Sequence, residues 1–295
     1  MTASERRTLL LLAAMWGGSF VFIRVASPVF GPVIMVEMRV SFGGLLLAGY
    51  GALSGSDLGF RKHVWNYFVL GLLNSAMPFM LVSTAELRID ASMTVLLNAT
   101  SPLAGAVVAA IFLGEPLTIR KIAGIGVAFS GVVALVGLSP VSHDPKTVLS
   151  IGACLLAASS YGFSGAYIKR KMADAPPIGL AAGSMLTAAI MLAPFAATSH
   201  MMKPASVSAV LSISALTVLC TTVAYIMYFR LIKSVGPAKA LSVTFLTPVF
   251  GLIWGAVCIG DRITPLKIAA CAIILAGTAL MLTTGSRAAA ALTEG

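Results

Sequence analysis

Charge is scarce in this chain. Asp, Glu, Lys and Arg make up 10% of its 295 residues, where a soluble domain carries about 25%. So few charges cannot build a water-facing shell, which excludes an ordinary soluble globule and leaves the bilayer as most of the solvent. Histidine is scarcer still. His63, His143 and His200 stand at span edges or in loops, too dispersed for a metal centre. The four cysteines, Cys154, Cys220, Cys258 and Cys271, lie inside apolar runs with no CxxC pair. They read as buried free thiols, neither disulfide partners nor metal ligands. No G-x-x-x-x-G-K-[ST] loop is present, which excludes a built-in ATPase. Clustered Asp, His or Ser–base groups are missing at depth, so neither an embedded enzyme nor a cofactor is expected.

What the chain has is apolar length. Its hydrophobic fraction is 58% and its mean hydropathy +0.98. A spanning helix needs about 20 mostly apolar residues. Such runs occur near 8–26, 32–53, 64–86, 90–113, 118–138, 148–169, 176–198, 206–232, 236–259 and 264–284. Gly31-Pro32, Pro176-Pro177 and Gly236-Pro237 punctuate their ends. The first run has no clear A-x-A cleavage site, so it reads as a retained helix, not a signal peptide. The expected fold is an all-α membrane protein of ten transmembrane helices in a bacterial-type inner membrane.

The net charge of +10 sits in short clusters at span ends. No long basic face exists to follow a phosphate backbone, so no nucleic acid is expected as a partner. With the N-terminus inside, the inner segments hold Arg6, Arg7, Arg61, Lys62, Arg120, Lys121, Lys169, Arg170, Lys171, Arg230, Lys233 and Arg287. The outer segments hold only Arg24, Arg88, Lys146, Lys203, Arg262 and Lys267. The positive-inside rule therefore predicts both termini in the cytoplasm.

The chain also repeats itself. Ser101-Pro102-Leu103 and Gly114-Glu115-Pro116-Leu117-Thr118 return as Thr247-Pro248-Val249 and Gly260-Asp261-Arg262-Ile263-Thr264, an offset of 248 − 102 = 146 residues. With a one-residue slip, Trp16-Gly17 matches Tyr161-Gly162, and Arg24 matches Lys169. The halves are residues 1–143 and 144–287, followed by a short tail, 288–295. Five spans is an odd number, so the second copy is expected to enter the bilayer inverted. That arrangement is typical of secondary transporters with a site near the midplane. The alternative is an old duplication that only builds a bundle.

Three mid-span prolines, Pro78, Pro102 and Pro248, free the carbonyls of Asn74, Asn98 and Thr244. In lipid such carbonyls are tolerated where protein or a wet cavity satisfies them. They mark either a solute site or plain packing kinks. Polar and aromatic residues at helical spacing extend the lining: Trp16, Ser19 and Phe20; Phe79 beside Pro78; Thr94, Asn98 and Ser101; Tyr161 and Ser164; Thr221, Tyr225 and Tyr228; Thr244 and Thr247. Gly124, Ala128 and Gly131, with Ile273 and Gly277, mark the fifth and tenth helices as close-packing scaffold. Glu37 and Arg39 lie one to two turns inside the second span. They read as a gate, as contacts to a zwitterionic solute, or as side chains snorkelling to the headgroups. Glu37 is the sole acidic candidate for a proton carrier on this reading, while Glu115 and Asp261 read as local caps or pairs at helix ends.

At Trp16-Gly17-x-Ser19-Phe20, and at the twice-written Pro…Gly-Glu/Asp…Leu/Ile-Thr pattern, the chain resembles the EamA-type drug/metabolite transporter family over essentially its whole length. The resemblance implies ten helices, cytoplasmic termini and efflux of amino acids or related metabolites. Within it the chain looks most like the amino-acid exporter branch. Ser101 replaces the aromatic residue expected before the fourth-helix proline, which favours a broader range of amino acids or metabolites. Partners are then a small-molecule substrate and the lipid bilayer, with the protein a monomer or homodimer. Other metabolite or drug export is the second reading.

Overall fold

The computed structural model describes residues 1–139 and 144–291. His143 and the last four residues of the expected tail lie outside the described residues. Within them the chain is all helix and turn, with no strand. Among the described residues nine helices are long and apolar enough to cross a membrane. We number the long helices α1 Ala3–Phe30, α2 Pro32–Leu53, α3 Phe60–Ala85, α4 Ala91–Leu113, α5 Ile119–Leu138, α6 Pro145–Lys171, α7 Pro177–Thr198 and α8 Val207–Val235. The shorter α9, Val243–Ile259, and α10, Pro265–Ala291, complete the bundle. At 1.5 Å per residue, α9 is about 26 Å long, short of a hydrocarbon core of about 30 Å. The expected ninth span, 236–259, is in fact broken: a single turn, Pro237–Ala240, precedes α9 and supplies the missing length.

The helix ends follow from the sequence. Thr2 and Glu5 form a reciprocal capping box, with Thr2 N donating to Glu5 at 2.7 Å. Asp90 caps α4 by accepting from Met93 N at 2.7 Å. The repeated motif folds twice in one way. Gly114 and Gly260 close their helices at φ 67° and 71°, a conformation that favours glycine. The next residue in each case, Glu115 or Asp261, donates its N–H back to Ala109 or Gly255. Thr118 and Thr264 then cap the following helices at Lys121 N and Lys267 N.

The halves interleave. α1 lies along α9 and α8, while α6 lies along α4 and α3; α2 pairs with α7, and α5 with α10. Glycines allow the closest approaches. A methyl on Gly124 would meet Gly277 O at 2.6 Å, and one on Gly131 would press on Ile273 at 3.0 Å. These contacts fit the scaffold role expected of α5 and α10. The surface is apolar: Leu53 is 93% exposed, Ile119 84% and Val257 72%. Such a surface belongs in lipid. Cys154, Cys220 and Cys271 are buried as expected, but Cys258 is exposed on the outer face of α9. An apolar run predicts burial from water; in a membrane bundle that includes facing lipid.

Candidate functional site

Two helices depart from α geometry in the interior. α3 widens into a π segment at Leu72–Ala76 just before Pro78, and α8 does so at Val218–Val223. Pro78 has no N–H to donate to Asn74 O, and Met77 N bonds five residues back to Leu72 O. In α8 the hydroxyls of Thr221 and Thr222 donate to the carbonyls five residues back, at 2.9 and 3.1 Å. Such wide turns leave backbone polarity inside the bundle and are frequent at functional sites.

Around them a polar and aromatic cluster forms. Ser164 donates to Asn74 Oδ1 at 3.1 Å, and the Asn74 side chain also meets Tyr225. Trp16 sits 6.2 Å from Tyr225 and 5.2 Å from Tyr228, ring centre to centre. Arg39 enters from α2. It is 8% exposed, its guanidinium lies 3.8 Å over the Phe79 ring, and its Nε donates to Thr221 Oγ1 at 3.1 Å. Tyr161, Tyr225 and Cys220 are close enough to interact with its charge. Among the described residues no carboxylate lies within 4 Å of Arg39. Snorkelling does not describe it, because its charge turns into the bundle.

The expected lining is brought together in part. Trp16, Arg39, Asn74, Phe79, Tyr161, Ser164 and Tyr225 surround one interior region. Phe20 is buried in the main apolar core, and Pro78 is buried within α3. Ser19, Ser101 and Thr244 instead turn their hydroxyls onto carbonyls of their own chain at Trp16, Asn98 and Leu241, at 2.6, 2.6 and 2.8 Å. The carbonyl of Asn98, freed by Pro102, is thus partly satisfied by Ser101. Asn98 Oδ1 is buried without a partner. Glu37 accepts from Ser41 at 2.6 Å through one oxygen and leaves the other unpaired.

Glu86, the last residue of the expected third span, was not among the candidates. It is fully buried, and neither carboxylate oxygen has a hydrogen-bond partner. Glu86, one residue past the end of α3, is a further acid buried at a span end. Asp261 and Glu115 also reach farther than local caps. Asp261 accepts from Ser92 N and Oγ at 3.0 and 2.9 Å, tying the α9–α10 turn to α4. Lys267 of α10 donates to Asp90 at 2.8 Å. At the other end of the bundle, Glu115 joins Lys169 of α6 at 2.6 Å and Lys121 at 3.7 Å. The hydrogen bond and charge of Lys169 hold the Glu115 carboxyl below the usual carboxylate range. Lys62 likewise pairs with Asp174 and lowers its pKa.

A bundle of apolar helices with a polar, charge-bearing interior defines an integral membrane protein of the transporter class. The chain belongs to the EamA-like transporter family, which matches it twice, over residues 8–137 and 148–283. It is 26% identical over 280 residues to the "Uncharacterized inner membrane transporter YedA" of Escherichia coli strain K12, covering 92% of this chain and 89% of that one. It is also 26% identical over 280 residues to a "Probable terminal-alkyne amino-acid exporter" of Streptantibioticus cattleyicolor, covering 92% and 91%. A crystal structure at 19% identity shares the fold, with a TM-score of 0.69 over 97% of this chain and 99% of that one. The protein is thus a transporter of the drug/metabolite superfamily.

Proposed function

We propose that this transporter exports amino acids or closely related small metabolites across the inner membrane by alternating access. Its two five-helix halves are inverted repeats, both termini are cytoplasmic, and the solute binds among Trp16, Arg39, Asn74, Phe79, Tyr161 and Tyr225. Arg39 carries this reading. An interior guanidinium with no carboxylate partner suits the carboxylate of an amino acid, which it binds in a two-pronged geometry. The neighbouring rings offer apolar faces and hydroxyl donors for a side chain. Repeat-related contacts support the inversion: Gly17 against Gly251 has its counterpart in Gly162 against Gly105. The exporter name of the Streptantibioticus relative agrees with the proposed substrate class.

The test is flux in proteoliposomes with labelled Thr, Met and Phe. Saturable flux of several amino acids is expected. Absence of flux for the whole panel, from protein verified as folded, sinks the amino-acid reading.

A further inference from the structure

Repeat-related residues stand at both ends of the bundle, yet the two ends are packed differently. At the end that holds Asp90 and Asp261, the outer end in the orientation given above, α9 lies against the first half of α4. A methyl on Gly251 would meet Val95 at 2.8 Å, and one on Gly255 would meet Ser92 Oγ at 2.6 Å. Three polar links cross the same seam. Arg24 of α1 donates to the carbonyls of Glu86 and Ile89. Asp261 accepts from Ser92 N and Oγ at 3.0 and 2.9 Å, and Lys267 donates to Asp90 at 2.8 Å.

At the inner end the counterparts of these residues leave the seam open. Val95 corresponds to Leu241 (241 − 95 = 146) and Gly251 to Gly105 (251 − 105 = 146). Val95 is 1% exposed and Leu241 45%. Among the described residues, a methyl on Gly105 would meet only Gly162, at 3.8 Å. Arg24 corresponds to Lys169 (169 − 24 = 145), Asp261 to Glu115 and Lys267 to Lys121 (261 − 115 = 267 − 121 = 146). These three form one cluster on the α4–α5–α6 side, where Glu115 joins both lysines. The backbone contacts Gly17–Gly251 and Gly162–Gly105 are alike in the two halves, so α1–α9 and α4–α6 are equivalent, tightly packed pairs. What differs is where one pair leans on the other. The latch is also unmatched in sequence: the positions of Asp90 and Ser92 hold Gly236 and Ala238 in the second copy. Neither residue type has a side-chain group that can hold a lysine or donate to a carboxylate.

We propose that the α4–α9 seam is the moving gate of the transporter, with its outer end latched by Asp261 on Ser92, Lys267 on Asp90 and Arg24 on the α3–α4 turn, and that this one-sided latch makes the inward-open form the resting state. This rests on the alternating-access reading given above. In the opposite form Leu241 seats on Gly105, as Val95 seats on Gly251. Lys169 leaves Glu115 for the carbonyls of Ile232 and Val235, the counterparts of Glu86 and Ile89 (232 − 86 = 235 − 89 = 146). The inner closure has one of the three polar links, so the outer closure wins when no solute is bound. Asp261 is a positioning residue: it sets which end is open and touches no solute.

The experiment places one reporter at each end of the seam, Val95→Cys or Leu241→Cys, in the full chain purified in detergent. A water-soluble maleimide labels the thiols, and peptide masses identify the labelled site, so the four natural cysteines stay in place. With the latch intact, Leu241→Cys should react and Val95→Cys should be protected. Adding Asp261→Ala should speed Val95→Cys by about tenfold, the scale expected for losing hydrogen bonds to a charged group, and slow Leu241→Cys. Ser92→Ala, a milder change that removes only the hydroxyl donor, should shift both rates the same way by less, and carries the test should Asp261→Ala fail to fold. General loosening of the fold would speed both sites together. The proposal is overturned if Val95→Cys reacts as fast as Leu241→Cys with the latch intact. It is equally overturned if the latch variants speed both sites or move neither. The labelling needs no solute. Reciprocal rates with no flux across the amino-acid panel keep the gate and remove the substrate reading, whereas saturable flux without reciprocal rates removes the gate alone.

Discussion

Gly17 and Gly251 pack backbone to backbone: a methyl on Gly17 would lie 2.7 Å from Gly251 N, and one on Gly162 would lie 2.7 Å from Gly105 N. The obstructing atoms are main chain, so neither site can yield by a rotamer change. Overpacking of this kind costs about 1–3 kcal/mol. Gly17→Ala and Gly162→Ala are expected to lower the Tm in detergent by several degrees. Gly152→Ala, where a methyl meets nothing within 4 Å, should leave the Tm unchanged or raise it. Thermal unfolding of the three purified variants checks this.

Trp16 contacts Tyr225 and Tyr228 by its ring faces and edges. Aromatic pairs contribute about 0.5–1.5 kcal/mol beyond buried area. Trp16→Ala should cut saturable flux by about tenfold, equivalent to ~1.4 kcal/mol. Trp16→Phe should retain most of it. Equal flux in wild type and Trp16→Ala would remove Trp16 from the solute path.

Arg39 lies over Phe79 and donates through Nε to Thr221. Lysine keeps the charge but neither the planar stack nor the Nε donor. Arg39→Lys should raise KM with little change in the amount of folded protein, and Arg39→Ala should abolish flux. Ser184→Ala, at the matching position of the other half, should leave flux unchanged. A concentration series on the three variants separates these outcomes.

Glu115 is held below the usual carboxylate range by Lys169 and Lys121. A carboxyl depressed in the folded state contributes stability above its unfolded pKa and loses it as pH falls through the folded value. Glu115 is about a third exposed, with a side-chain accessibility of 35%, so solvent screening limits the gain to about 0–1 kcal/mol. Glu115→Gln should therefore lower the Tm slightly at neutral pH. The difference should shrink once pH falls below 4.5, the ordinary Glu value, and vanish in stronger acid. A Tm difference that grows on acidification would contradict the pairing.

Hydropathy and repeat spacing located the helices to within a few residues, because a bilayer dictates helix length and every backbone group must be paired within the segment. Pro78 likewise marked the wide turn in α3, since a missing N–H leaves a trace in the sequence. The wide turn in α8 has no proline and left no such trace. Ser19, Ser101 and Thr244 share helical faces with the lining but bond to carbonyls of their own chain. Helical spacing gives direction, and the choice between a neighbour and one's own backbone depends on local geometry. Glu86 escaped notice for a different reason. Its burial depends on α1, α2, α4 and α6 closing over the end of α3, so a residue at a span boundary counts as exposed until those neighbours are placed.

The π segments of α3 and α8 open at Leu72 and Val218, separated by 218 − 72 = 146 positions, the offset that also relates Pro102 to Pro248. A surplus residue shared at one offset is most simply inherited from a single five-helix ancestor. On that account the irregular turn is older than the joined chain. Arg39 and Glu86, present in one copy each, belong to the later divergence of the two halves: the protein kept an ancestral flaw in its helices twice over and specialised the charges beside only one of them.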